Sequence, residues 1–368
     1  MSAKTSIEWT DVSWNPVRGC SLVSAGCANC YAMKFAHRFS GPSQPYAGLT
    51  ELGPKGPRWT GKVTLVHEAL DEPLRWKKPR RIFVNSMSDL FHEDVPDEFI
   101  ADVYAVMVTA YQHIFQVLTK RPERRRYLLG APSFREWVAI KAARHINQLR
   151  GPHSLNATNN LAAWNADAAV NIHEGVSIEN QATADERIPI LLETPAAVRF
   201  VSAEPLLGPV NIGWWLELGR WDSMGRPVPT RGINWVIAGG ESCPRARPVH
   251  PDWIRGIRDQ CQAGGVPFFF KQWGEWKPVS EVDREASALY ESRRRAKPHQ
   301  DQDAIDELYG RRCRFETTAL RYDGVAFPNN EPGAWEVRDG HPSMLMFKMG
   351  KKAAGAKLDG RWWREFPR

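Results

Sequence analysis

Nowhere in the chain do about eighteen apolar residues run together, so no membrane-crossing helix is expected. The opening Met1-Ser2-Ala3-Lys4-Thr5-Ser6 leads into no apolar signal segment, and a cytoplasmic setting is the expectation. Cysteine is scarce. Six in 368 residues are too few for a disulfide framework and suit thiols or metal ligands instead. A second C-x2-C pair, which a four-thiolate zinc site would use, is absent. No internal repeat or low-complexity tract is evident, which argues against a solenoid or a propeller. Acidic residues are the minority, 42 against 49 Lys and Arg, for a formal charge of +7 and a pI near 9.1. That balance permits a nucleic-acid partner without demanding one.

What is present is a soluble composition, 42% hydrophobic and 25% charged, on a chain long enough for one α/β barrel or two ordinary domains. Eight short apolar, β-branched runs recur: Ile7–Trp14, Lys62–His67, Arg81–Met87, His113–Thr119, Asn171–Ser177, Val198–Ser202, Ile233–Gly239 and Val266–Lys271. Helical patterns separate most of them, clearest at Pro96–Ala110 and Asp252–Ala263. Strand and helix in alternation imply a parallel sheet, and eight units imply a (β/α)8 TIM-type barrel, with a doubly wound open sheet as the rival. Polar residues follow nearly every run, which favours the barrel, whose carboxyl-terminal mouth gathers strand ends.

The expected layout is a barrel over residues 1–278, a charged insertion or lid over 279–330 and a basic extension over 331–368 packing on the barrel. The lid carries Arg293-Arg294-Arg295 and Arg311-Arg312-Cys313-Arg314. Ser40–Gly61, Pro152–Asp167 and Gly213–Arg231 read as further insertions. The first is expected to wrap the cysteine loop, the second is loop-like at its start, and the third is a candidate flap. Sixteen tryptophans are mostly expected in the core, with Trp14 or Trp273 available to stack on a base.

Chemistry concentrates in residues 15–31, where Cys20, Cys27 and Cys30 are spaced C-x6-C-x2-C after the first strand. Three readings stand. The thiolates hold three irons of a [4Fe–4S] cluster and leave the fourth open; or they bind zinc with His37; or they are plain thiols. Cys261 reads as a buried helix residue, and Cys243 lies at a strand end near the mouth. Asn85, Ser86 and Asp89 end the third run and suit a ribose or an amino-acid headgroup. Lys120, Arg121 and Lys271 suit a phosphate or carboxylate. Glu179, Glu204 and Glu241 each follow a strand. One is expected to bind a cofactor's amino group and another to pair with Lys120 or Lys271. Lys120, Glu204 and Lys271 are the candidate catalytic groups.

Longer strings tie these positions together: Trp14-Asn15-Pro16, Gly19-Cys20, Cys27, Cys30-Tyr31, Asn85 to His92, Leu118 to Pro122, Ser202 to Leu206 and Gly239 to Ser242. In these the chain resembles the three-Cys-motif family of uncharacterised phage and bacterial proteins, over residues 7 to about 278 and the Gly350–Gly355 tail. The resemblance implies a fold related to radical S-adenosylmethionine enzymes, with Cys20, Cys27 and Cys30 on the cluster. Tyr31, Asn85, Ser86, Asp89, Glu179 and Glu241 would then hold S-adenosylmethionine. It further implies a 5′-deoxyadenosyl radical, an electron donor such as flavodoxin or ferredoxin, a bacterial or phage-infected host, and room for a partner protein. The first cysteine gap is six residues where those enzymes have three. Gly239-Gly240-Glu241 resembles their amine-binding Gly-Gly-Glu but follows the seventh run, so by position Glu68 or Ser86–Asp89 is the better substitute. Tyr31 directly after the third cysteine is a local similarity to spore photoproduct lyases. With the basic segments it points to a nucleic acid, DNA favoured, as the substrate for repair or modification. The alternatives are a metal-stabilised nucleic-acid-binding protein without radical chemistry and a metal-dependent nuclease or hydrolase.

Overall fold

The computed structural model describes residues 5–217, 232–282, 300–308, 310, 315–328 and 334–367. Both arginine clusters of the expected lid, Cys313 and most of the expected flap lie outside these residues.

Seven parallel strands form one curled sheet, hydrogen-bonded in chain order: β1 (Val12–Trp14), β2 (Arg81–Val84), β3 (Ile114–Thr119), β4 (Ile172–Ile178), β5 (Val198–Ala203), β6 (Trp235–Gly239) and β7 (Phe268–Gln272). Helices cover the convex face: α2 (Asp97–Thr109), α3 (Pro122–Gly130), α4 (Pro132–Ile146), α5 (Pro152–Ala166), α6 (Gln181–Glu193) and α7 (Pro251–Gly264), while α1 (Tyr31–His37) follows the cysteine loop. Alternation decides which side chains go where. Ile82, Val84, Phe115 and Val117 face the helices with Val103, Met107 and Val138. Phe83, Phe200, Trp235, Ile237 and Phe269 face inward and close around Trp9.

The architecture is a half-barrel rather than the closed eight-stranded barrel expected. The run Lys62–His67 contributes only Thr64–Leu65, which pairs antiparallel with Val17–Arg18 outside the main sheet. At Thr64 the run is exposed, so it lacks the two-sided burial of a central parallel strand. Strand β1 therefore pairs directly with β2, in register Val12 with Ile82. Closure at the other end is blocked by the carboxyl-terminal tail. Trp363 accepts from the Phe270 amide at 2.9 Å and Glu365 donates to Phe268 at 3.2 Å, which occupies the free edge of β7. Phe366 then fills the gap, 5.4 Å from Phe269, 5.5 Å from Trp235 and under the Arg81 guanidinium at 4.1 Å.

Pro152–Ala166 is helical from its first residue, including the start that reads as loop-like in the sequence. Pro152 suits its first turn, and Ala157, Asn160 and Trp164 recur at three- and four-residue spacing on its buried face. Trp276–Pro278, Met344–Lys348, Glu316–Leu320 and Ala326–Pro328 form a second, antiparallel sheet in that order, so segments on both sides of residue 330 share hydrogen bonds. Leu320 and Met346 of this sheet join Trp253 of α7 in one core. Among the described residues no helix is long and apolar enough to cross a membrane.

Gly175 of β4 makes the inner packing possible, because a Cβ there would lie 2.4 Å from the Phe200 ring. Gly175→Ala is expected to lower stability by about 1–3 kcal/mol through overpacking. Thermal unfolding of that variant alone and with Phe200→Leu checks it, since the smaller side chain should recover most of the loss.

Candidate active site at the carboxyl-terminal mouth

The strand ends of the half-barrel open on a cavity of about 230 Å³. A water needs roughly 10–15 Å³ by the same measure, so the cavity has room for a small molecule or a flipped base. Cys20, Cys27, Cys30, Tyr31, Asn85, Ser86, Asp89, Lys120, Glu204, Glu241 and Lys271 all line it, over a floor of Trp9, Phe83 and Leu118. Glu179, another of the candidate cofactor-binding residues, does not line it. It is fully buried beneath the cysteine loop.

That loop is held by charge. Glu179 accepts from Ser24 at 2.8 Å and Arg187 at 3.2 Å, and Lys120 makes a very short contact with it. Gly26 sits against the same carboxylate, where a Cβ would lie 2.5 Å from Oε1. Burial works to raise the Glu179 pKa, and the Lys120 and Arg187 cations overcome it, so the carboxyl stays below its ordinary range. On the other flank Glu241 takes Arg247 at 2.7 Å and the Asn29 amide at 3.0 Å, while Arg247 also donates to the Ala25 carbonyl at 3.0 Å. Near Cys20, Arg121 spans from Asp89 at 3.2 Å to the Ser21 hydroxyl at 2.6 Å. Asp89 further accepts from Thr119 at 2.8 Å and the Lys120 amide at 3.1 Å. Asp89, Glu179 and Glu241 thus have their oxygens engaged by the protein.

The three cysteines are free and half-buried. Burial, with the Asp89 carboxylate close by, pushes the Cys20 thiol up to about 12 against the pull of Arg121; the neighbouring Cys30 and Cys27 add to it. Burial raises Cys30 as well. Among the described residues no three His, Cys, Asp or Glu side chains converge on a single-ion site. His37 turns away from the cysteines and meets the Thr50 hydroxyl at 3.1 Å, so the Cys3His arrangement is not formed.

The rest of the lining mixes paired groups with a few unpartnered atoms. Asn85 adopts a left-handed backbone, φ +61°, directly after β2, a conformation asparagine tolerates better than most residues. Its carbonyl oxygen accepts from the Val17 amide at 3.3 Å, which leaves its amide nitrogen buried without a partner. Trp9 Nε1 and Gln272 Oε1 are buried and unpartnered in the same cavity. Native buried polar atoms are nearly always satisfied by protein or water, so these three are open to water or to a polar ligand in the cavity. Asn15 accepts from the Ser86 hydroxyl at 3.2 Å, and Tyr31 donates to the Ser86 carbonyl at 3.0 Å. Glu204 pairs with Lys271 at 3.1 Å and accepts from Ser202 at 3.2 Å.

Four sequence expectations are corrected. Glu68 is exposed and does not line the cavity, because it sits in the turn His67–Ala69 outside the main sheet. Trp14 and Trp273 are each 1% exposed, their indole nitrogens donating to the Ala69 and Lys357 carbonyls at 2.7 Å, so neither stacks on a ligand. Cys243 is buried in the core rather than at the mouth. Ser24 and Arg247 were not foreseen, since nothing local in the sequence marks a loop hydroxyl or a distant arginine whose partner lies more than a hundred residues away. Trp9, too, is a floor residue that only the inward turn of the preceding segment reveals.

A family described as protein of unknown function (DUF5131) matches residues 4–367. The chain belongs to this family. No curated protein matches it. Among solved structures it is similar to a spore photoproduct lyase complexed with dinucleoside spore photoproduct, at 10% identity and a TM-score of 0.34, over 71% of this chain and 63% of that one. It is also similar to a mutant spore photoproduct lyase with bound AdoMet and the same dinucleoside, at 12% identity and a TM-score of 0.35, over 90% of this chain and 72% of that one. The likeness is distant, and the reading of the mouth rests on this chain's own residues.

Glu179→Gln is expected to cost about 3–5 kcal/mol by leaving Lys120 and Arg187 buried without their anion. Because the native carboxyl lies below its unfolded value of about 4.3, its contribution is full above that pH and drains away as pH falls through the native value. The variant should therefore show a flatter acid limb of stability against pH, and faster reaction of the loop thiols with a disulfide reagent. An unchanged acid limb would show that the ion pairs do not hold the loop.

Proposed function

We propose that the chain is an iron–sulfur enzyme that uses S-adenosylmethionine to act on a nucleic acid or nucleotide. The observation that carries this is the company the thiols keep. Cys20, Cys27 and Cys30 share one cavity at parallel strand ends with the unpartnered Asn85 amide and the Lys271–Glu204 pair. Three thiols that open into one space suit a cluster whose irons are ligated separately. When bound, the group supplies one-electron reductive cleavage of the sulfonium C–S bond, the source of a 5′-deoxyadenosyl radical.

The chain's own residues divide by where they stand in the mouth. Asn85, Ser86 and Tyr31 line the wall beside the cysteines and hold the cofactor's amino-acid and ribose ends. Glu204 offers its carboxylate to an amino group or substrate hydroxyl, and Lys271 neutralises a carboxylate or phosphate beside it. Lys120 sits at the junction of wall and loop, its charge shared with Glu179. Asp89, Glu179 and Glu241 act as positioning residues through Arg121, Lys120 and Arg247. The apolar floor of Trp9, Phe83 and Leu118 keeps water from the reacting centre.

Anaerobic purification tests this. About four irons and four sulfides per chain, with a broad charge-transfer absorption lost in Cys27→Ala, are the expected result. Reduced protein should then convert S-adenosylmethionine to 5′-deoxyadenosine and methionine. One tightly held zinc and no cluster would sink the proposal. A cluster without cleavage would leave a metal-stabilised nucleic-acid-binding protein, and metal-dependent strand cutting without a cluster would leave a nuclease.

A further inference from the structure

We infer that the lip of the mouth formed by α1 and the ribbon Thr50–Gly53/Gly56–Trp59 is a docking track for a single strand of nucleic acid. This deepens the reading of the site above and rests on it for where the strand leads. Tyr31 and Phe35 on α1, and Phe39 in the turn just past its end, are 46%, 48% and 42% exposed at four-residue spacing. The Phe35 and Phe39 rings lie 5.2 Å apart, and Tyr31 lines the cavity itself, so the stripe runs from the mouth outward. A soluble surface seldom shows three aligned aromatics without a partner.

Charge identifies that partner. Between Asn15 and Lys62 the one acidic residue is Glu51, and Arg58 takes it at 2.7 Å. Lys34 on α1 and Arg38 just past its end flank the aromatic stripe, the Lys62 backbone abuts Gly19 of the cysteine loop, and Arg245 reaches the ribbon beside Gly56. None of these four has a carboxylate within ion-pair distance among the described residues. Unneutralised cations beside exposed rings match a phosphate backbone with bases that stack on aromatics. The Phe35 and Phe39 ring centres are 5.2 Å apart. A duplex strand advances roughly 3.4 Å per nucleotide, so the spacing suits an unstacked single strand and not a helix. Such a strand on Phe39 and Phe35 delivers its next base past Tyr31 into the cavity.

Fluorescence anisotropy with the full chain tests this, using labelled oligodeoxythymidine of about 12 nucleotides and a blunt duplex of similar length. The single strand should bind more tightly than the duplex. Phe35→Ala with Phe39→Ala should weaken it at least about tenfold, since each stacked base contributes strongly, while Phe35→Tyr with Phe39→Tyr should keep it. Lys34→Gln with Arg38→Gln should reduce the slope of log affinity against log salt by about 1.4, or 0.7 per cation. An unchanged affinity in the alanine pair, or a preference for duplex, overturns the proposal. So does an alanine pair that keeps the strand and loses a reduced flavodoxin or ferredoxin, which would make this face the electron donor's. Cleavage of S-adenosylmethionine without substrate should be the same in both pairs as in the parent. Failure of cleavage everywhere, with strand binding intact, would count against the radical chemistry and not against the track.

Discussion

The arrangement of the mouth depends on one buried carboxylate. Glu179, at the end of β4, meets Lys120 from the end of β3, Arg187 from α6 and Ser24 from the cysteine loop. A charge that far from water is tolerable only where cations and donors surround it. Here the surrounding groups come from three separate stretches, so satisfying the charge draws those stretches to the end of β4. Glu241 repeats the device on the opposite flank through Arg247 and Asn29. The loop between these anchors has little apolar packing of its own; Leu22 and Val23 are exposed. Electrostatics does for the loop what hydrophobic burial does for the sheet.

The half-barrel explains why such anchors are possible. A closed barrel fills its interior with layers of side chains. Here the inward aromatics around Trp9 and Phe200 fill only the amino-terminal part, and above them inward positions turn polar: Ser177 and Glu179 on β4 and just beyond it, Ser202 and Glu204 at β5, Lys271 in β7. The tail residues Trp363–Phe366 hold the two edges apart and keep the space open on one side. Opening the sheet thus leaves both a cavity and a flank, and the flank is where α1 and its aromatic stripe stand.

How much of this was legible beforehand can be read from single elements. Seven of the eight strand runs are in the main sheet, because each has an apolar face on both sides and that pattern is local. The run at Thr64 was misread since its length and composition match a strand, while its exposure is a property of its neighbours. Trp14 and Trp273 illustrate the same limit. An indole near a strand end reads equally well as a ligand platform or as core, and their hydrogen bonds to Ala69 and Lys357 decide for the core.

Residue type and order by themselves determined a parallel α/β sheet, a loop bearing three thiols after its first strand, and a set of polar strand ends that had to share one rim. Periodicity and strand direction suffice for those, because both act over a few residues. Tertiary structure alone decided that the sheet stays open, that Lys120 belongs to Glu179 and Lys271 to Glu204, that Arg247 closes on the cysteine loop, and that Ser24 ties the loop to Glu179. Pairing of charges depends on distances across the fold, and no local pattern encodes which of several cations a buried carboxylate will meet.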